Sequence, residues 1–340
     1  LLLWIKFEKR LLMAIQVNIN RESWPLESEF RISRGSRKVS EVITVSISEE
    51  NLTGRGECFP YARYKETLDS VEKQITGIIL ELKQNPSREY LRQLLPPGAA
   101  RNALDCALWD LEAKKANCRV WELAGLSPPE PLTTVYTLGV DKPEKMGELA
   151  FENSNRPILK LKMTGDGLDF DRVERIHNSA PNTKLVVDAN EGWTIEQYLE
   201  YAPRFRDLGV MMIEQPLPAD QDSQLASIPH PVAICADESC HDTSTLQGLV
   251  GKYEMINIKL DKTGGLTEAL ELKEVALNLG FQIMVGCMIG TSLAMAPGLV
   301  AGQGAAVVDL DGPLLLKNDR ENGLEFIGST INVPSSLLWG

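Results

Sequence analysis

Histidine is scarce: His177, His230 and His241 are the only three in 340 residues. So few, so far apart, exclude a centre built on several imidazoles. Cysteine offers no substitute. Cys58, Cys106, Cys118, Cys235, Cys240 and Cys287 are scattered without a CxxC pair or regular spacing. They read as reduced thiols of a cytoplasmic protein, not as a disulfide frame. No apolar run approaches the roughly 18 residues a membrane-spanning helix needs. Positive charge is short too, with 35 Lys and Arg against 47 Asp and Glu and a net charge of -12. A nucleic-acid binder carries the opposite footprint.

What is present is an ordinary globular composition, 43% hydrophobic and 24% charged, long enough for two domains or a barrel with an attachment. The opening Leu1-Leu2-Leu3-Trp4-Ile5 lacks a preceding basic region and makes a poor signal peptide. Clean alternation (Ile15, Val17, Ile19) begins just after Met13, so residues 1–12 are expected to be upstream translation or an artificial extension. Strands are expected over 14–20 and 41–48 with a polar, basic loop at 31–38 between them. A third strand starts near Gly54, and helices are expected over 66–84 and 98–117, the latter entered through Pro96-Pro97. Residues 13–127 then form a small α+β domain.

Past Ser127-Pro128-Pro129 the texture changes. Short apolar segments recur at 135–140, 158–163, 184–188, 210–214, 232–237, 255–260, 282–286 and 306–309, separated by helix-period stretches such as 194–208 and 267–279. Eight strands alternating with helices at this spacing indicate a (β/α) barrel over 128–311. The rival is a doubly wound sheet, but no Gly-rich phosphate turn follows the first strand. Residues 312–340 remain, expected to pack back on the small domain.

Within 158–163, Lys160 and Lys162 stand two apart in an otherwise apolar run and so share one face of a strand. Such a pair either lies on a solvated edge or is held in a core by nearby anions. Barrel active sites sit at the C-terminal strand ends, and here those ends are charged in turn. Lys160 and Lys162 lie on the second strand, Asp188 on the third, Glu214 on the fourth, Asp237 on the fifth, Lys259 on the sixth, and Asp309 and Asp311 on the eighth. Any one of them would serve as a cap or turn residue. Three acids closing three consecutive strands are a hard-oxygen set suited to Mg²⁺ or Mn²⁺; a salt-bridged cluster with the lysines is the alternative. The second and sixth strands are four apart, so Lys162 and Lys259 are expected to face each other across the mouth. A cation beside them would lower their pKa values toward the range of a general base. Two opposed bases suit removal of a proton from one face of a carbon and its return to the other, with a metal stabilising the enediolate. That is racemase or epimerase chemistry. Thr137, at the first strand end, is a candidate substrate contact, and Cys287-Met288-Ile289, after the seventh strand, is expected to line the pocket. No histidine stands there to act as a base.

The motifs Lys160-Leu161-Lys162, Val187-Asp188-Ala189-Asn190, Glu214-Gln215-Pro216, Ala236-Asp237-Glu238-Ser239, Asn257-Ile258-Lys259-Leu260 and Asp309-Leu310-Asp311-Gly312, in this order and spacing, resemble the enolase superfamily. Within its muconate-lactonising-enzyme subgroup they are most similar to dipeptide epimerases of the L-Ala-D/L-Glu type. The resemblance spans residues 14 to about 325. It implies a modified (β/α)7β TIM-type barrel with an N-terminal α+β capping domain. It also implies Lys162 and Lys259 as the acid/base pair, Lys160 as a neutralising charge, and Asp188, Glu214 and Asp237 as ligands of one Mg²⁺ per subunit, with Mn²⁺ as a substitute. Asp309 and Asp311 would grip the free α-ammonium of a dipeptide used in cell-wall peptide recycling. Arg37 is the first choice for a glutamyl side-chain carboxylate and Arg34 the second. A homo-oligomer is compatible with the family. Alternatives are N-acylamino-acid racemisation or o-succinylbenzoate synthesis in the same subgroup, and, outside it, a Schiff-base aldolase or a non-catalytic binding protein.

Overall fold

The computed structural model describes residues 15–340; the extension expected over residues 1–12 lies outside the described residues. The chain opens with a long antiparallel hairpin, β1 (Gln16–Ile32) and β2 (Gly35–Glu49), to which β3 (Leu52–Cys58) adds antiparallel. Ile43, Val45 and Ile47 on β2 are fully buried and pack, with the face of β3, on a helix, α4 (Ala99–Ala116). The Gly54-Arg55-Gly56 pair permits that approach. A Cβ at Gly54 would meet the Ala107 carbonyl at 2.1 Å, and one at Gly56 the Ala103 carbonyl at 2.1 Å.

Two expectations for this region need correction. The stretch 31–38 is no loop but the closed end of the hairpin: Ile32 pairs with Gly35 across a two-residue turn of Ser33 and Arg34. Its strand character is masked in sequence because most of β1 is exposed or half-buried, so no apolar alternation is required of it. The helix expected over 66–84 is two, α1 (Leu68–Gly77), capped reciprocally by Thr67 and Ser70, and α2 (Ile79–Gln84), broken at Gly77-Ile78. A further helix, α3 (Arg88–Leu94), starts on the Ser87 hydroxyl.

The second half is an eight-stranded parallel sheet: β4 (Tyr136–Leu138), β5 (Ile158–Lys162), β6 (Lys184–Asp188), β7 (Val210–Glu214), β8 (Ala233–Ala236), β9 (Met255–Lys259), β10 (Gln282–Gly286) and β11 (Val307–Asp309), hydrogen-bonded in that order. The Val135 amide donates to the Val308 carbonyl at 2.9 Å, joining the two ends into a barrel. Helices α5 (Pro143–Glu152), α6 (Asp169–Ser179), α7 (Ile195–Asp207), α8 (Leu266–Asn278) and α9 (Ser292–Ala301) lie outside it; after β7 and β8 only 3-10 turns stand in their place.

The two-residue period of a strand sorts every barrel strand into two faces. Leu159, Leu161, Leu185, Val187, Ile213, Ile256 and Ile258 point outward into the core shared with the helices. Val135, Val186, Met212, Cys235, Met255, Met284 and Val307 form an apolar layer of their own inside. Two residues further along, the inward positions turn charged or polar on every strand except β10, where Gly286 stands. The barrel is thus plugged with hydrocarbon below and carries its charges above.

The last residues return to the first domain. Arg55 donates to the Leu337 and Leu338 carbonyls, the Trp339 indole to the Cys106 carbonyl at 3.0 Å, and the Gly340 amide to Asp110 at 2.8 Å. Among the described residues no helix is long and apolar enough to cross a membrane.

Candidate active site

Register brings Lys162, Asp188 and Glu214 to one level. Lys162 is the strand partner of Asp188 and Asp188 that of Glu214. Glu214 pairs with Cys235, which leaves Asp237 one side-chain layer higher. Lys160 partners Thr137, and Gly286 lies between Lys259 and Asp309. Gly286 is needed there, since a Cβ would meet the Asn257 side chain at 2.7 Å.

The two lysines of β5 are therefore core residues. Lys160, 1% exposed, holds its ammonium 2.6 Å from Asp309, 2.6 Å from Glu214 and 3.1 Å from Asp188. Three carboxylates around one ammonium are what allows a buried cation. Lys162 donates to Asp188 at 2.5 Å and Lys259 to Asp237 at 2.6 Å. A fourth ammonium, Lys262, donates to the Asp237 side chain at 2.7 Å and to the Asp237 and Asn257 carbonyls. Burial disfavours the charged form of each group, and the pairs prevail at the carboxylates that two ammonium groups face. Burial pulls Lys259 down, yet Asp237 and Glu214 hold it above the usual lysine range. Asp188, raised by burial, is brought below the carboxylate range by Lys162 and Lys160. Asp237 is lowered likewise by Lys259 and Lys262. Burial and Asp188 leave Glu214 raised. Among protein groups alone, then, Lys259 is shifted opposite to the expected direction. Lowering it requires a further positive charge beside it.

Every residue singled out from the sequence, except Asp188 and Glu214, lines one cavity of about 420 Å³ between the barrel mouth and the cap. Those two lie just beneath, fully buried. Asp309 and Asp311 face Cys287, with ligand atoms of all three within 4.8 Å of one another. Asp311 accepts the Thr137 amide at 2.7 Å. Burial and neighbouring Asp309 push the Asp311 carboxyl up to about 7. The Cys287 thiol is pushed far above its usual value by burial, which leaves it no nucleophilic character at neutral pH.

The two candidate arginines separate. Arg34 is spoken for: it donates to the Asn190 carbonyl at 2.8 Å, the Tyr61 hydroxyl at 2.8 Å and Glu238 at 2.7 Å. Arg37 has no carboxylate partner among the described residues; its guanidinium lies 4.8 Å from the Phe59 ring centroid, at the cavity wall.

Several participants escaped the sequence reading. Lys262 is recognisable only once the turn Leu260–Thr263 folds it back toward Asp237. Asn257 donates to Glu214 at 2.8 Å; the inward period Met255, Asn257, Lys259 was the available signal. Gln215, at φ +35, accepts the Asp237 and Ser239 amides and ties the ends of β7 and β8 together. Asn190 and Glu191 also carry positive φ, local strain of the kind that gathers at functional sites.

Does this set suit a divalent cation? The donors are hard oxygens. Six buried carboxylates (Asp188, Glu214, Asp237, Glu238, Asp309, Asp311) face four buried ammonium groups and Arg34. Glu214 Oε2, Glu238 Oε2, Asn190 Oδ1 and Asn257 Oδ1 are buried without a hydrogen-bond donor aimed at them; Glu214 Oε2 is near the Lys160 ammonium but off its donor direction. Oxygens of this kind have room for a cation or an ordered water among them. In type and charge the site fits a cation, although Asp188, Glu214 and Asp237 are not drawn as close together as Cys287, Asp309 and Asp311.

Comparison with known proteins agrees with this architecture. The Mandelate racemase / muconate lactonizing enzyme, N-terminal domain family matches residues 14–125, and the Enolase C-terminal domain-like family matches residues 146–335. The chain is 45% identical over 312 residues to the L-Ala-D/L-Glu epimerase of Escherichia coli, covering 91% of this chain and 97% of that one. It is 41% identical over 301 residues to the N-acetyl-D-glutamate racemase of a Pseudoalteromonas species, covering 88% and 95%. A crystal structure of an enolase family member from Agrobacterium tumefaciens, with bound sodium and L-Ala-L-Glu, superposes with a TM-score of 0.94 at 46% identity, covering 96% of this chain and all of that one. The chain therefore belongs to the enolase superfamily, in its mandelate racemase/muconate lactonizing enzyme branch, and is an isomerase.

Proposed function

We propose that this isomerase is a dipeptide epimerase that inverts the α-carbon of the C-terminal residue, with Ala-Glu as its substrate, in the cytoplasmic recycling of cell-wall peptides. The observation that carries the reading is that Lys162 on β5 and Lys259 on β9, four strands apart in an eight-stranded barrel, line one cavity. Each base takes the α-proton from one epimer, and the other returns it to the opposite face. The buried Lys160 ammonium offsets the negative charge of the enediolate. Asp309 and Asp311 receive the substrate's α-ammonium, with Thr137 fixing the Asp311 carboxylate, and Arg37 receives the glutamyl side chain. Asp188, Glu214 and Asp237 would hold one Mg²⁺ per subunit, replaceable by Mn²⁺. Its charge would neutralise the substrate's α-carboxylate and so acidify the α-proton.

The 41% identity to an N-acetyl-D-glutamate racemase favours one second reading, racemisation of an acylated amino acid, which has no ammonium to hold. The test is isotopic. In D₂O, Ala-Glu gains one mass unit at the glutamyl α-carbon and nowhere else, and EDTA stops the exchange until Mg²⁺ is restored. A dipeptide library that takes up no deuterium removes the epimerase reading.

A further inference from the structure

Glu57, on β3, makes no hydrogen bond to the site lysines and is fully buried in its side chain. It accepts the Thr291 amide at 2.8 Å and the Thr291 hydroxyl, and receives Arg320 at 2.6 Å. Arg320 also reaches Glu22 on β1 at 2.6 Å and the Thr44 hydroxyl on β2 at 2.8 Å. From the same cap sheet, the Ser40 hydroxyl donates to the Ile289 carbonyl. All three cap strands thus converge on the stretch 287–291 that leaves β10.

That stretch lines the cavity and abuts the residue after Asp311. A Cβ added at Gly312 would lie 3.1 Å from both the amide nitrogen and the carbonyl oxygen of Gly290. Gly290 is also in close contact with Glu57, since a Cβ at Gly290 would lie 2.9 Å from Glu57 Oε1. Gly290 therefore packs closely against both Glu57 and Gly312, and the buried Glu57–Arg320 pair anchors it on the cap side. Close-packed contacts of this kind transmit displacement instead of absorbing it.

We infer that Glu57, acting through Thr291, is a positioning residue that presses the 287–291 stretch against Gly312 and so sets the Asp309–Asp311 pair for the substrate's ammonium group. The inference rests on the dipeptide reading. It separates recognition of the amino end from the proton transfer, because Glu57 reaches neither Lys162 nor Lys259 among its hydrogen-bond partners.

The test compares Glu57→Gln, which keeps an acceptor for the Thr291 amide, with Thr291→Val and Thr291→Ser. Steady-state kinetics are read with Ala-Glu, and competitive inhibition with N-propionylglutamate, which lacks only the ammonium. Glu57→Gln and Thr291→Val are expected to raise KM for Ala-Glu about tenfold, as for the loss of one charge-assisted hydrogen bond. Their kcat and their inhibition constant for the propionyl compound are expected to stay within about twofold of wild type, and Thr291→Ser to behave as wild type. If Glu57→Gln does not fold, Thr291→Val decides alone. An unchanged KM in the folded variants, or an equal weakening of Ala-Glu and propionylglutamate, overturns the inference. A wild-type protein that does not epimerise Ala-Glu overturns the dipeptide reading first, before any variant is compared.

Discussion

The Arg37 guanidinium lies over the Phe59 ring, 4.8 Å from its centroid, without a carboxylate partner among the described residues. Arg34, three residues earlier in the same hairpin end, is bound to Glu238, Tyr61 and the Asn190 carbonyl. An unpaired cation stacked at a cavity wall remains free to receive an anion. Arg37→Met is therefore expected to lower kcat/KM for Ala-Glu by ~10–100-fold, the worth of a charged hydrogen-bonded pair, while barely changing Ala-Leu. Arg34→Gln, by loosening the contact between cap and barrel, should depress both substrates alike. The ratio of the two kcat/KM values in each variant decides, and an unaltered ratio in Arg37→Met would falsify the assignment.

Lys162 and Lys259 are each paired with a different acid, Asp188 and Asp237, so neither can stand in for the other without leaving its own strand end. Lys162→Ala and Lys259→Ala should each abolish epimerisation, with a loss of ~10²–10⁴-fold for the missing general acid or base. The measurement is conversion of Ala-L-Glu and of Ala-D-Glu, followed separately. Normal epimerisation in either variant contradicts a two-base mechanism.

Asp261 provides a stability prediction away from the chemistry. It is buried, accepts the Phe59 amide at 3.0 Å and Asn102 at 2.8 Å, and is pushed up to about 7 by burial, with Glu66 and Glu57 adding to the rise. A carboxyl raised in the folded state stabilises fully below its unfolded value near 3.8, and that contribution is lost as pH rises through about 7. Asp261→Asn keeps the acceptor and removes the ionisation. Its Tm should exceed that of wild type at pH 8, and the advantage should shrink by more than half at pH 5. Equal Tm differences at both pH values would show that Asp261 does not titrate there.

How much of this was legible beforehand follows from the period of a strand. On the barrel strands, one face had to be apolar for the helices and the other for the plug, so Lys160, Lys162, Asp188, Glu214 and Lys259 stood out as breaks in continuous apolar runs. Strands such as 184–188, 210–214 and 282–286 have the same bounds in sequence and structure. The closed end of the cap hairpin, between the strands expected over 14–20 and 41–48, was obscure for the converse reason, because residues mostly exposed or half-buried on both faces need no pattern. Lys262 was hidden because its role depends on a single helical turn after β9, and Glu57 because its partners lie 234 and 263 residues away. Geometry also separates Arg34, held by Glu238, Tyr61 and the Asn190 carbonyl, from Arg37, over the Phe59 ring; the sequence presents the two in one basic stretch.

If Asp311 holds the substrate's ammonium as proposed, it should divide the two substrate classes by pH as well as by mutation. Its carboxyl, raised to about 7 by burial and by Asp309, is also faced by the Thr137 amide and the Lys160 ammonium. Only the ionised form attracts an ammonium. Below about pH 7 the competent fraction falls about tenfold per pH unit, so kcat/KM for Ala-Glu should decline on the acid side in proportion. Glu238, pushed up to about 7 chiefly by burial, titrates in the same window, so the wild-type profile alone is ambiguous. The ratio of wild type to Asp311→Asn is not, because Glu238 is common to both. That ratio should be large, ~10–100-fold, at pH 8 and should shrink toward unity at pH 5.5. With N-acetylglutamate the ratio should stay near one at every pH, since an acylated nitrogen carries no charge to be held. A pH-independent ratio for Ala-Glu would remove Asp311 from ammonium recognition, and a protein that turns over N-acetylglutamate better than Ala-Glu would favour the acylated substrate instead.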